Sequence, residues 1–333
     1  MSIERKSTLR DVARISGVSY QTVWRVVNDH PSVASGTRQR VLNVVDELHY
    51  QPNPAARQLV TGKSQTIGVI SYGLRHYGPA QMFTSIERAL RTHKYGLVAA
   101  SLDELNLGEL EQAIRYVKRQ LVEGIVIIVP LEINASKVKA LCGVTPFILV
   151  DAPTEVKAPS ISINQHSGAQ VAAEHLIALG HKKIAEITGP LTWYDAHLRH
   201  EGFLAALAHA GLEPAASVPG DWTAAGGYQA MTQMIEATPH PTALFAANDQ
   251  TALGAIHALS VRGLSVPDDI SVVGFDDVPE ASHYLPPLTT VRQDFEELGK
   301  RSVQHILSLT DGHTFDSELL EPTLIVREST RRR

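Results

Sequence analysis

The sequence of 333 residues contains a single cysteine, Cys142, so no internal disulfide is open to it. In "ALCGV" that thiol reads as a small buried core residue rather than a nucleophile. Long apolar runs are missing too: no stretch approaches the roughly 18 residues that a membrane-spanning helix needs. The opening "MSIERKSTLRD" lacks the apolar core and cleavage site of a secretory signal, so a cytoplasmic location is expected, with the nucleoid if DNA is the partner. An excess of positive charge is also absent, since the net charge is −5. What remains is ordinary for a soluble globular protein, with 44% hydrophobic and 20% charged residues. The length suffices for two or three domains with their own cores.

The acidic total hides an asymmetry. Residues 1–63 carry nine Lys and Arg against five Asp and Glu, a balance of +4, which leaves −9 for the rest. A basic segment on an acidic chain points to a polyanionic partner for that segment alone.

Its helical signals are clear. In "TLRDVARISG", Leu9, Val12 and Ala13 fall at helical spacing, and Gly17 ends the helix as a turn residue. Ser19 then suits the N-cap of a second short helix whose inner face is Val23, Val26 and Val27. A third helix from about Ser35 carries Val41, Val44, Val45 and Leu48 at i, i+3, i+4 and i+7. Two helices joined by a glycine turn and backed by a third suggest a helix-turn-helix unit over residues 1–50. With the valines inward, Tyr20, Gln21 and Arg25 project outward from the start of the second helix. Gln pairs bidentately with adenine and Arg with guanine in the major groove, so these side chains suit base reading better than plain solvation. Trp24, one turn beyond Tyr20, either meets a partner or packs on the first helix.

Residues 51–64 read as a hinge. Asn53 is a natural N-cap and Pro54 fits the first helical position, so "NPAARQLV" predicts a helix of about two turns. So short a helix is marginal alone and needs support. Leu59 and Val60 have no evident core to enter, whereas an apolar side chain here could wedge into the minor groove.

From Thr66 onward, short aliphatic runs alternate with helical stretches. "TIGVIS", "GLVAAS", "GIVIIV", "FILVD", "KIAEITG", "TALFAAND" and "ISVVGFDD" read as strands, with helices such as "FTSIERALRTH" and "SGAQVAAEHLIALGH" between them. This predicts an α/β core of parallel sheets covered on both faces, divided into two subdomains about a cleft. Several strands end in polar residues: Asp151, Asn248 with Asp249, and Asp276 with Asp277. Ligands of open α/β sheets bind beyond the carboxyl ends of strands, where such groups bond to vicinal hydroxyls and an aromatic stacks on a pyranose face. Arg199, Trp222 and Phe295 are the candidate clamp and stacking residues. Each acid could equally cap the helix that follows it.

"LRDVARISGVSYQTVWRVVN", "VLNVVDELHYQPNPAARQL", "HLIALGHKKIAEITGPL", "PTALFAANDQTALGA", "DISVVGFDD" and "PPLTTVRQDFEELG", in this order from about Thr8 to Thr330, resemble the lactose-repressor (LacI/GalR) family of bacterial regulators. Within it, "SYQTV", "GDW" and "YLPPLTT" are similar to the lactose-type branch. The resemblance implies a periplasmic-binding-protein-like core over 65–330, with one subdomain of about 65–164 and 293–322 and the other of about 165–292 and 323–330. It implies base reading by Tyr20, Gln21 and Arg25, further DNA contacts from Thr8, Ser19, Thr22, Asn28 and Asn53, and intercalation of Leu59 at the centre of a palindromic operator. It places Asp151, Arg199, Trp222, Asn248, Asp276 and Phe295 around a sugar effector, which in that branch is a galactoside or related glycoside. Two departures matter: Trp24 stands where a small hydroxyl residue is usual, and Tyr72 where the branch has serine near the sugar.

The expectation is therefore a homodimeric repressor that leaves its operator on binding a sugar. No heptad-repeat helix follows the core, as a lactose-type tetramer would need. A sugar-binding protein without DNA regulation, or a glycoside-processing enzyme, is the alternative. A glycosidase needs a defined acid–base pair, and only generic strand-end acids are visible. His197 and His200 in "HLRH" share a helix face without further ligands, so neither metal nor cofactor is expected.

Overall fold

The computed structural model describes residues 7–28, 30–50, 62–130, 135–152, 157–236 and 240–333. The chain divides into two units, residues 1–64 and 65–333.

The first unit contains α1 (Leu9–Ser16), α2 (Tyr20–Val27) and α3 (Ser35–Glu47). Thr8 and Asp11 form a reciprocal capping box at the start of α1, and Gly17 closes that helix with φ of 67°, a left-handed conformation that glycine adopts without strain. Ser19 caps α2 by accepting the Thr22 amide at 3.1 Å. Val12, Val23, Val26, Val41 and Val44 form the buried centre, with Leu9, Ala13, Val27, Val45 and Leu48 around it. Arg38 of α3 donates to the carbonyl of His30 at 2.5 Å, holding the segment after α2. The expected hinge, with Asn53 and Leu59, lies outside the described residues.

The second unit has two six-stranded sheets. Its strands are β1 (Thr66–Tyr72), β2 (Gly96–Leu102), β3 (Gly124–Ile128), β4 (Phe147–Val150), β5 (Ser160–Ile163), β6 (Ile184–Thr188), β7 (Ala216–Pro219), β8 (Ala243–Ala246), β9 (Ser271–Asp276), β10 (Thr289–Arg292), β11 (Ser317–Leu320) and β12 (Thr323–Ile325). The first sheet runs β11-β5-β4-β3-β1-β2 and the second β12-β10-β9-β8-β6-β7. All pairings are parallel except that of β10 with β12. The chain passes from the first sheet to the second after β5, returns after β10, and crosses again between β11 and β12.

Continuous apolar runs produce this arrangement because both faces of each sheet are covered. In β3, Val126 and Ile128 enter one cluster while Ile125 and Ile127 enter that on the opposite face. In β8, Leu244 and Ala246 face one way, Ala243 and Phe245 the other. Each such large side chain, once buried, contributes about 1.5–3 kcal/mol. The crossover helices are α4 (Tyr77–Thr92), α5 (Leu107–Arg119), α6 (Ala135–Cys142), α7 (Gln165–Ala178), α8 (Tyr194–His209), α9 (Ala224–Glu236), α10 (Asp249–Val261) and α11 (Phe295–Thr310). Cys142 is fully buried at the end of α6, and burial raises its thiol to about 11, an inert core position. No described helix is long and apolar enough to cross a membrane.

Candidate functional site

The face of α2 that reads as DNA-contacting is open in the structure. Tyr20 is 54% exposed, Gln21 is exposed and Arg25 half-exposed, while Val23 and Val26 behind them are buried. Trp24 is half-buried. Thr8, Ser19 and Asn28 hold helix ends: Thr8 and Ser19 cap α1 and α2, and the Asn28 side chain donates to the Trp24 carbonyl at 2.8 Å. Thr22 bonds to Ser19 through its hydroxyl at 2.9 Å. The N-terminus of α2, with its partial positive charge, carries Ser19, Tyr20 and Gln21 at the exposed surface.

In the second unit, a crevice gathers residues from the carboxyl ends of strands in both sheets. Its lining includes His76, Tyr77, Trp193, Asp195, Arg199, Trp222, Asn248, Asp276 and Gln293. The crevice is narrow. A wider groove of about 370 Å³ lies elsewhere, beside Phe147 and Pro159 at the opposite ends of β4 and β5, and gathers no comparable polar set.

Arg199 organises the crevice. Its Nε donates to Gln165 Oε1 at 2.9 Å and Nη1 to the Ala247 carbonyl at 2.5 Å, and Nη1 stands 3.6 Å from Asp276 Oδ1. The guanidinium lies 3.9 Å from the Phe275 ring centre and 5.3 Å from that of Trp222. Gln293 Nε2 donates to Asp276 Oδ1 at 2.6 Å and Gln165 Nε2 to Gln293 Oε1 at 2.9 Å, so a chain of hydrogen bonds runs through the site. Burial pushes the Asp276 carboxyl up to about 6, with Arg199 and Gln293 pulling the other way.

Two further carboxyl groups meet beside this chain. Asp151 follows β4 and Asp195 lies in the first turn of α8; both are almost wholly buried and their side chains pair with one another. Burial raises both pKa values, and for Asp195 the neighbouring Asp151 charge adds to the rise. Two buried carboxylates in contact cannot both ionise cheaply, so they hold a proton between them.

The aromatic wall is Tyr72, Trp193 and Trp222. Ring centres of Tyr72 and Trp193 are 5.5 Å apart, and those of Trp193 and Trp222 5.9 Å, while His76 sits edge-on to Trp193 at 5.3 Å. Trp222 takes a positive φ of 68° and its ring covers Gly189, where any Cβ would collide with it. Its indole Nε1 is buried and has no partner, as is Asp195 Oδ1. Asn248 caps α10 through the Thr251 amide at 2.9 Å and donates to the Trp222 carbonyl at 3.1 Å, joining cap and pocket roles.

The residues singled out in the sequence thus separate. Arg199, Trp222, Asn248 and Asp276 line the crevice, Asp151 touches its lining through Asp195, and Tyr72 backs Trp193. Phe295 opens α11 with its ring 5.9 Å from that of Tyr77 and belongs to the core of the first sheet, so it supports the crevice from behind rather than stacking inside it. Asp249 and Asp277 are structural. Asp249 accepts from the Thr290 hydroxyl at 2.5 Å and the Val278 amide at 2.8 Å, and Asp277 pairs with Arg292 and Arg327 at 2.6 and 2.7 Å. His200 Nδ1 contacts buried Glu186 Oε2 at 2.7 Å and His197 pairs with Glu201, and no cluster fit for a metal ion occurs among the described residues. His76, Gln165, Trp193, Asp195 and Gln293 were not singled out; the one signal they offered was proximity to strand ends and helix starts.

Comparison with known proteins follows this division. Residues 8–53 match the family model described as bacterial regulatory proteins, lacI family, and residues 173–330 match a periplasmic binding protein-like domain. The lactose operon repressor of Escherichia coli is 38% identical over 324 residues, 97% of this chain and 90% of that protein. The crystal structure of the lac repressor dimer bound to operator and the anti-inducer ONPF superposes with a TM-score of 0.91 at 38% identity, covering 98% of this chain and 100% of that one. A complex of the transcriptional regulator CelR with cellobiose superposes with a TM-score of 0.73 at 29% identity, covering 97% and 99%. A helix-turn-helix head and a binding-protein core in one chain define a ligand-responsive DNA-binding regulator, not an enzyme. The chain belongs to the lacI family of bacterial regulatory proteins.

Proposed function

We propose that this repressor binds a palindromic operator as a homodimer and leaves it when a sugar, a galactoside or related glycoside, enters the crevice. The observation that carries the reading is the convergence of Asp276, Arg199 and Asn248 with the Trp193 and Trp222 rings at the carboxyl ends of strands from both sheets. Polar groups there serve vicinal hydroxyls, and an indole face serves the apolar side of a pyranose. Tyr20, Gln21 and Arg25 read base edges, Thr8, Ser19, Thr22 and Asn28 hold or contact the backbone, and Asn53 with Leu59 forms the hinge that meets the operator centre.

The direction of coupling follows the lactose-type resemblance: the crevice gathers strand ends of both sheets, so a sugar held there favours one arrangement of those sheets. A ligand that prefers one arrangement weakens whatever function the other supports. Dimers and operator binding in the related lac repressor agree with this scheme. The protein would work in the cytoplasm, at the nucleoid.

Intrinsic fluorescence offers the test, because two of the three tryptophans lie in the crevice. Titration with mono- and disaccharides should shift emission saturably for at least one neutral sugar, and operator DNA should weaken that sugar's affinity. Emission unaffected by every sugar would remove the reading.

A further inference from the structure

The polar groups of the crevice are unbalanced in charge. Asp151, Asp195 and Asp276 are each about 95% buried, and among the described lining residues the one permanent cation facing them is Arg199. That guanidinium is partly engaged, with Nε on Gln165, Nη1 on the Ala247 carbonyl and its charge beside Asp276. The imidazole of His76 adds no cation, because burial lowers its pKa and the neighbouring Arg75 charge lowers it further. An anionic group entering the crevice therefore meets three carboxyl groups against one cation that already faces Asp276.

One atom of this set is plainly available. Asp195 Oδ1 is buried and has no hydrogen-bond partner, although Asp195 lines the cavity. The Trp222 indole N–H, from another residue of the same lining, is likewise buried and unpartnered. Buried polar atoms of this kind are costly unless something satisfies them, so an unfilled acceptor and an unfilled donor in the lining of one crevice mark it as a place where a bound molecule forms bonds.

We infer that Asp195 is a specificity-determining residue: it takes a hydrogen-bond donor of the effector, a hydroxyl or an ammonium group, and excludes acid sugars such as uronates. The inference rests on the sugar reading given above and narrows it to uncharged or cationic sugars. A hydroxyl donates to Oδ1 while the proton shared with Asp151 stays in place. An ammonium group does the same and lets the pair release that proton. A carboxylate has no proton to donate and adds a fourth acid to a buried site, where like charges brought together repel.

Isothermal titration of the full chain with matched gluco and galacto sets of hexose, hexosamine and hexuronic acid tests it. For the series that binds, the uronate should be weaker than the parent hexose by about 100-fold, and the hexosamine at least equal to the hexose. Asp195→Asn retains an amide that can donate to Asp151 and should reduce the uronate penalty by about tenfold while the hexosamine loses its advantage. Asp195→Ser, which removes the acid with less bulk, should act in the same direction. A uronate that binds wild type as tightly as its hexose would overturn the inference and leave the sugar reading standing. Failure of every sugar in both series would overturn the sugar reading and the inference with it.

Discussion

Arg199 and Asp276 form a buried ion pair, Nη1 to Oδ1 at 3.6 Å with each side chain 5% exposed, at a distance that leaves the pair polarised but not closed. The second Asp276 bond, from Gln293, comes from the connection leading back to the first sheet. A ligand that competes for Asp276 thereby acts on groups belonging to both sheets.

Asp276→Asn should fold and keep its operator, since Asn keeps the shape and one acceptor oxygen and loses the charge and the other acceptor. Sugar affinity should fall by about 1.5–3 kcal/mol, the usual cost of a hydrogen bond involving a charged group. Operator release at the wild-type sugar concentration would show that Asp276 serves the fold alone.

Asp195→Asn should change the dependence of stability on pH. The Asp195 pKa is raised in the folded state, chiefly by burial and then by Asp151, so the native form holds a proton that the unfolded chain releases near pH 4. Stability from that group is present below the unfolded pKa and is lost as pH rises through the folded value. The variant lacks this loss, so its melting temperature should exceed that of wild type by more at pH 7.5 than at pH 4.5. An equal difference at both pH values would mean that no proton is shared.

Arg25→Ala should cost roughly 1–3 kcal/mol at one base pair per operator half-site and relax specificity there. Binding by anisotropy across single-base operator variants separates this from a phosphate contact, which would weaken all sequences alike.

His200→Ala should destabilise the core by roughly 1–3 kcal/mol, because Glu186 is then left buried in β6 with Ser217 at 3.2 Å as its remaining bond. The His200 pKa is raised by its bond to Glu186, so stability from this pair is full below pH 6.5 and is lost as pH rises through the folded value. Thermal melts of wild type and variant should converge at high pH.

The sequence made parts of this structure legible for identifiable reasons. "GIVIIV" and "TALFAAND" stood out because β3 and β8 are buried on both faces and therefore read as unbroken apolar runs. The helices of the head were readable from valine spacing and from Ser19 and Gly17 at their ends. β5 in "SISI", β7 in "ASVP", β11 in "SELL" and β12 in "TLI" gave little signal: each is three or four residues long, and in the first three serine, proline or glutamate interrupts the run. Strand-end acids were visible as a class, but their individual roles were not. Asp276 and Asp277 are adjacent, yet one faces the crevice and the other clamps Arg292 and Arg327, a choice set by β10 and the chain after it. Asp195 lies in the first turn of a helix, where the dipole alone would account for an acid. Only the approach of Asp151 from the other sheet gives it a second meaning.

The most direct measurement is fluorescence anisotropy of a labelled near-palindromic DNA, with half-sites about one helical turn apart, bound by the purified protein and titrated with the neutral sugar that shifts its tryptophan emission. Saturable release of the DNA over the concentration range of the emission change is expected, with no turnover of the sugar. DNA binding that persists at saturating sugar, or grows tighter, would contradict a sugar-released repressor.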